Sequence, residues 1–212
     1  MFLKFKIVWS VYNRFFKRWC DVIFSFCALV VLAPVFFVIA ILLMIVNRGT
    51  PFFTQLRPGK NERLFTVVKF KTMTDKKDHH NFLLPDEDRL TFLGRFIRKT
   101  SLDELPQLIN VLKGDMAIIG PRPLLPEYRS LYNPRHRRRH DIRPGITGWA
   151  QVNGRNTVDW SKRFDLDIWY VENMSFRVDL EILFLTFIKV FKSEGITSNT
   201  SATMEKFNGY DQ

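Results

Sequence analysis

Between Val22 and Val46 the chain runs for 25 residues without a charge, VIFSFCALVVLAPVFFVIAILLMIV. As a straight helix this run is about 37 Å long, more than the roughly 30 Å hydrocarbon core of a bilayer requires. A secretory signal does not fit, because the run is too long, starts late and is followed by no small-residue cleavage site. Pro34 lies in its middle, where it removes a backbone donor and crowds the preceding turn, so a kink or break is expected there. Basic residues flank both ends: Lys4, Lys6, Arg14, Lys17 and Arg18 before it, Arg48, Arg57 and Lys60 after it. A spanning helix carries its basic excess at the cytoplasmic end. Two readings therefore stay open, a kinked helix that crosses and one that enters a single leaflet, bends at Pro34 and returns. The first twenty residues, with Phe2, Phe5, Trp9, Tyr12, Phe16 and Trp19 among lysines and arginines, read as an interfacial helix leading into the run.

The remainder of the 212 residues suffices for one domain with its own core, not two. A formal net charge of +11 calls for an anionic partner: phosphate groups, lipid headgroups or nucleic acid. Cys20 and Cys27 form neither a disulfide framework nor a metal-ligand spacing. His136 and His140 are spaced i, i+4 but flank Arg137-Arg138-Arg139, a poor neighbourhood for a dication.

From Pro51 the pattern changes. Phe52 to Arg57 and Arg63 to Lys71 are strand-like and joined by Pro58-Gly59-Lys60-Asn61-Glu62, a hairpin loop. Alternation puts Lys69 and Lys71 on one face. Phe92 to Lys99 reads as a short basic helix. In Ser101 to Gly114, Pro106 favours a first helical turn and Gly114 ends the helix. Asp103 and Glu104 thus sit at a helix N-terminus, where Ser101-x-x-Glu104 has the form of a capping box. Capping accounts for one carboxylate and leaves Asp103 over. In Gly120-Pro121-Arg122-Pro123 two prolines stiffen the backbone around one guanidinium, a good grip for phosphate. A basic run, Arg135 to His140, leads into Arg143 to Asn156, whose glycines and asparagines suggest tight turns with exposed backbone donors but lack dinucleotide or P-loop spacing. Residues 178–192 form an apolar helix with a narrow polar stripe, suited to a core or to a membrane surface. The tail from Ser193 is polar.

Six stretches in order, Phe53 to Gly59, Lys69 to Met73, Thr100 to Asn110, Gly114-Asp115-Met116, Gly120 to Pro123 and Arg143 to Gly148, resemble the bacterial sugar transferase family, the monotopic phosphoglycosyl transferases that begin glycoconjugate assembly. The ending Ala202 to Gly209 looks like the small single-domain members, including those acting on UDP-diacetamido-sugars. The resemblance implies an α+β fold: a mainly helical small domain with a β-hairpin, interfacial amphipathic helices and an N-terminal re-entrant membrane helix broken at Pro34. It divides the chain into 1–49 (interfacial and membrane helices), 50–192 (catalytic domain with membrane-surface helices) and 193–212 (polar tail), without the extra amino-terminal membrane bundle of larger members. Where the family often has serine before the proline, this chain has Ala33, so the bend must be held by other means.

The implied reaction moves a phospho-sugar from a UDP-sugar to polyprenol (undecaprenyl) phosphate and releases UMP, through a covalent aspartyl-phosphosugar intermediate. Asp103 matches the nucleophile and Glu104 the neighbouring acid associated with Mg²⁺. Lys69, Arg98, Arg122 and Arg155 match positions associated with phosphates or the nucleotide, and Asp167 another site position. Nearby arginines and a helix N-terminus are expected to hold Asp103 ionised. The implied location is one leaflet of the bacterial inner membrane, with the catalytic domain on the cytoplasmic face. Oligomeric state is left open, a homodimer among the options. One rival is a membrane-associated glycosyltransferase that releases UDP; such enzymes bind metal through Asp-x-Asp within a nucleotide-binding α/β domain, which is not visible here. Another is a non-enzymatic membrane-tethered binder of anions or nucleic acid built on Arg135 to Arg143 with Tyr128 and Tyr132 nearby. Without a helix-turn-helix or RNA-binding motif, no nucleic acid partner is expected, and a basic face at an anionic membrane explains the run as well.

Overall fold

The structure, a computed structural model, describes Tyr12 and residues 16–154, 158–192 and 207–209. The apolar run forms α1 (Lys17–Asn47), a single helical element with Pro34 inside it. Pro34 thus stands inside one helical element and does not separate two distinct helices. Most of α1 is unpaired apolar surface, including Val31, Phe37 and Ile45, each well over half exposed. The expected interfacial helix before it falls, Tyr12 apart, outside the described residues.

Polar bonds fasten both ends of α1 to the domain. At its start the Lys17 ammonium lies 2.7 Å from Asp179 Oδ2, which also accepts from the Tyr12 hydroxyl at 2.7 Å. Tyr170 donates to the other oxygen at 2.6 Å. Asp21 accepts the Ile118 N–H at 3.1 Å, and Arg18 donates to the carbonyls of Val111 and Leu112. At its far end Asn47 donates to the Lys71 carbonyl at 2.7 Å, while Ile39 and Leu43 pack with Phe70 and Ile97.

The hairpin forms as expected: β1 (Phe52–Pro58) pairs antiparallel with β2 (Leu64–Phe70), with Phe52 opposite Phe70 and Pro58 opposite Leu64. Helix α2 (Phe92–Lys99) starts where the Thr91 hydroxyl accepts the Gly94 N–H. Helix α3 (Gln107–Lys113) ends at Gly114, which takes φ 96° as a C-terminal glycine should. The fully buried Asn110 ties α3 to β2, donating to Thr66 O at 2.8 Å and accepting the Val68 N–H at 3.1 Å. The last two long helices are α4 (Trp160–Asn173) and α5 (Phe176–Lys192). The 178–192 segment has one face of each kind: Asp179 and Ile182 are buried, whereas Leu180, Phe184 and Phe187 are exposed. Mainly helical with a small antiparallel hairpin, the chain has the expected α+β character.

One sheet was not expected. β3 (Ala117–Ile119) and β4 (Gly145–Thr147) pair in parallel, Ala117 opposite Gly145 and Ile119 opposite Thr147. The glycines that looked like open turns serve this pairing. A Cβ on Gly145 would stand 2.0 Å from Gly120 N, and one on Gly148 would stand 2.2 Å from Gly120 O. Nor is the Gly145 donor free: it bonds Pro121 O, while Gly120 N–H bonds Thr147 O across the pair. In the polar tail only residues 207–209 are described, and there Phe207 is buried among Tyr128, Tyr132, Trp160 and Phe164.

Gly145→Ala should therefore cost about 3 kcal/mol, because the clash is with backbone that cannot rotate away. Gly49→Ala, whose Cβ would meet only Asn47 O at 3.8 Å, should be close to neutral. Thermal unfolding of both variants checks this; equal melting temperatures would mean that β3 and β4 do not approach so closely.

Candidate active site

The turn that carries Asp103 and Glu104 is built differently from a capping box. Ser101 sits in the left-handed region at φ 56° and makes no side-chain cap bond. A left-handed non-glycine costs on the order of 1 kcal/mol, and here it swings the short 3₁₀ turn Leu102–Glu104 toward the hairpin. The capping expectation is corrected: Glu104 turns away from the helix end and its Oε1 accepts from Lys69 Nζ at 2.8 Å and from Arg122 at 2.7 Å. Lys69 projects from β2, and Arg122 from the stiffened loop between β3 and the following 3₁₀ turn. The Lys69 ammonium also lies 4.0 Å from Asp103 Oδ2. Lys69 and Lys71 do not act together, since Lys71 pairs with Asp75.

Arg98, on α2, is held at the hairpin exit by bonds to Thr72 Oγ1 at 2.8 Å and Met73 Sδ at 3.1 Å, and its charge reaches Asp103. Lys69, Arg98, Arg122, Asp103 and Glu104 thus come together. Arg155 lies outside the described residues. Asp167 is set apart from the carboxylate pair: it forms an ion pair with Arg139 at 2.7 Å, with side chains only 1% and 3% exposed.

The two carboxyls are pushed in opposite directions. Burial raises Asp103 above its ordinary value, and the Glu104 charge next to it raises it further, against Lys69, Arg122 and Arg98. Burial alone would raise Glu104 too, but Arg122 and Lys69 hold it well below the usual range. Asp103 therefore lies above the usual carboxylate range, at about 6, with burial as the main cause and Lys69, Arg122 and Arg98 still favouring its ionised form. Adjacent carboxyls with separated pKa values are suited to a site with two roles to fill.

Among the described residues no three His, Cys, Asp or Glu side chains converge to hold a metal, so a cage made by protein alone is not present. Mg²⁺ at phosphate-transfer sites needs less, one or two carboxylates with the rest of the shell from substrate phosphate and water. Asp103 and Glu104 fit that demand, and both cations on Glu104 use Oε1, leaving Oε2 for a metal.

Three further arginines crowd this side of the domain. Arg57 on β1 has its pKa lowered by burial and then by the charge of Arg122. Arg163 on α4 is lowered to about 10 by burial, with Asp167 opposing and Arg122 and Arg139 adding. Arg139 is the third. Arg57 lay within a quoted motif, and Arg163 stands one helical turn before Asp167; both signals were readable. Arg139 was hidden inside a run of like residues. The remainder of that run is paired: Arg137 with Glu62, Arg138 with Glu172, Arg135 with Asp165. The basic run, read as a face for an anionic membrane, is therefore largely matched by acidic partners.

Residues 12–193 match the family model described as bacterial sugar transferase. Among similar proteins, an uncharacterized sugar transferase of Bacillus subtilis, EpsL, is 58% identical over 162 residues, covering 76% of this chain and 80% of the relative. A UDP-glucose:undecaprenyl-phosphate glucose-1-phosphate transferase of Klebsiella pneumoniae is 39% identical, over 84% of this chain and 41% of its own length. An undecaprenyl-phosphate galactose phosphotransferase of Salmonella typhimurium is 36% identical, over 86% of this chain and 42% of its own. The chain thus spans about four tenths of the length of these last two.

Replacing Glu104 by Gln removes the second cause that raises Asp103, so the Asp103 carboxyl should titrate at lower pH than in the wild type. Carbon-13 NMR of labelled aspartate measures this directly. An upward movement would mean that the cations freed from Glu104 leave the site.

Proposed function

The chain belongs to the bacterial sugar transferase family, and from that premise we propose that it transfers a sugar phosphate from a UDP-sugar to polyprenol phosphate, releasing UMP. The observation that carries the reading is the partly buried Asp103–Glu104 pair with Lys69 and Arg122 converging on it. Two relatives whose names specify sugar phosphate transfer to undecaprenyl phosphate match across this part of the chain.

In the proposed mechanism an oxygen of the Asp103 carboxylate attacks the phosphorus that bears the sugar. The bond from that phosphorus to the bridging oxygen breaks, and UMP departs with the electron pair. The mixed anhydride left on Asp103 is then attacked by an oxygen of polyprenol phosphate. This forms the polyprenyl diphosphosugar and returns the carboxylate. A raised Asp103 pKa favours this role, since a more basic carboxylate is a stronger nucleophile once ionised. Lys69, Arg98 and Arg122 favour the ionised form and offset the meeting of two anions. Mg²⁺, held by Glu104 and the donor diphosphate, would supply the remaining neutralisation of charge on the leaving phosphate.

The membrane arrangement forms part of the proposal: α1 enters one leaflet and returns, keeping the domain on the cytoplasmic face, where a UDP-sugar meets the lipid phosphate. The two anchored ends support it. A straight helix from Arg18 to Asn47 would hold its ends about 44 Å apart. Their attachment points, Val111 and Lys71, are linked through the neighbouring Asn110, its bond to Val68 and three residues of strand spanning about 10 Å. A bend at Pro34 relieves that mismatch, and both ends then lie on the side of the domain.

Incubation with Mg²⁺, polyprenol phosphate and a panel of UDP-sugars, acetylated amino and diamino sugars included, tests the chemistry. UMP should appear only in complete reactions and fall by about 10³-fold or more in Asp103→Asn. Release of UDP would replace this reading with an ordinary glycosyltransferase. For the topology, Cys20 and an Arg48→Cys variant in a Cys27→Ser background should both react with an impermeant maleimide from the same face of sealed vesicles. Labelling from opposite faces would make α1 a spanning helix.

A further inference from the structure

The buried Arg139–Asp167 pair has no part in the chemistry above, and its setting is unusual. Arg139 is 2% exposed and Asp167 is 2% exposed, and the guanidinium lies over the rings of Tyr132 at 5.7 Å and Phe164 at 5.6 Å. Two of its nitrogens reach Asp167 Oδ2, at 2.7 and 3.2 Å, and a third donates to the Tyr132 hydroxyl at 3.3 Å. In such a place two apolar side chains of similar volume would hold the fold equally well or better, because an ion pair repays its own desolvation poorly. What apolar residues could not supply is the remaining contact. Arg139 Nη2 also donates to the backbone carbonyl of Arg122 at 2.7 Å.

Arg122 is the residue this contact reaches. Its side chain is 36% exposed and makes its bond to Glu104 from a loop. On one side the loop is held through the β3–β4 pairing, where Gly145 N–H bonds the Pro121 carbonyl. At Arg122 itself the backbone carbonyl is held by Arg139, and Asp167 on α4 fixes the direction in which Arg139 points. We propose that Arg139 and Asp167 are positioning residues, a buried strut that holds the Arg122 carbonyl and thereby aims the Arg122 guanidinium at Glu104. This assigns Asp167 a role apart from substrate contact, and it rests on the functional reading above only for its kinetic consequence. The groups facing Glu104 that the strut leaves unchanged are Lys69 on β2 and Asp103 on its own turn, with Arg98 on α2 acting on Asp103.

Removing one partner would strand a buried charge and unfold the domain, so the test uses Arg139→Met with Asp167→Leu, which removes both charges together. Full-length protein in lipid nanodiscs is followed by hydrogen–deuterium exchange and by turnover, with thermal unfolding as the control for fold. The strut predicts a near wild-type melting temperature, faster exchange confined to residues 120–125, and a fall in kcat of about 10- to 100-fold. In an Arg122→Ala background the same double change should cost less than about 2-fold further, because its effect passes through Arg122. Unchanged exchange at 120–125, or the same loss in both backgrounds, would overturn the proposal. If the wild type releases no UMP, the functional reading fails while the exchange comparison still decides the strut.

Discussion

One carboxylate oxygen, Glu104 Oε1, is shared between two cations that arrive from different parts of the chain, Lys69 on the hairpin and Arg122 on the loop after β3. Each of the three segments must be held still for the shared bond to form at 2.7 to 2.8 Å. The hairpin is held by the Asn110 amide, which spans two strand positions from within α3. The loop is held by the parallel β3–β4 pair, and the acidic turn is held by the left-handed Ser101 that redirects it. The electrostatics of the pair follow from partial burial together with this sharing. Desolvation raises Asp103, the Glu104 charge beside it adds to this, and Glu104 takes the nearest positive charge at both contacts, so the two carboxyls separate in pKa.

The hairpin, α2, α3 and the close of α3 at Gly114 were legible in the sequence because each rests on local rules: alternation, apolar spacing, a first-turn proline and a terminal glycine. The parallel pair was not, because its two strands are three residues each and lie far apart in sequence. Neither is long enough for an alternation to register. Gly145 and Gly148 were read by their intrinsic freedom, whereas the constraint on them is distance, the 2.0 and 2.2 Å that a Cβ would find across the pair. The same limit applies to Ser101-x-x-Glu104. Its spacing fits a capping box, and only the tertiary position of Lys69 and Arg122 decides that the glutamate does something else.

The site residues divide along the same line. Lys69, Arg98, Asp103, Glu104 and Arg122 were nameable through motif resemblance, and the structure brings them together. Asp167 was nameable, but its partner was not: nothing in Arg135-His136-Arg137-Arg138-Arg139-His140 distinguishes Arg139 from its neighbours. Burial makes the distinction. Arg135, Arg137 and Arg138 are exposed and matched to surface acids, while Arg139 is enclosed between Tyr132 and Phe164 with Asp167 as its counter-charge. A run that reads as one basic patch thus contains a residue facing inward, and overall charge is a poor guide to which arginines remain available for a ligand.

The membrane helix and the site are coupled through the same small set of elements. Asp21 of α1 accepts the backbone N–H of Ile118 within β3, and Arg18 caps carbonyls at the end of α3. Lys17 reaches Asp179, whose other oxygen is bonded by Tyr170 of α4. So β3, which leads into the Arg122 loop, α3, which carries the Asn110 tie to β2, and α4, which carries Asp167, each bear a direct or one-step contact to the entry of α1. Polar bonds of this kind are worth more away from water than in it, and they fix orientation in a way that apolar packing of a lipid-facing helix cannot. The exposed apolar surface of α1 gives the chain its affinity for a bilayer, but these few buried contacts determine how the carboxylate pair stands relative to the helix. An amphiphilic acceptor with its phosphate at the bilayer surface would need that relation to be fixed.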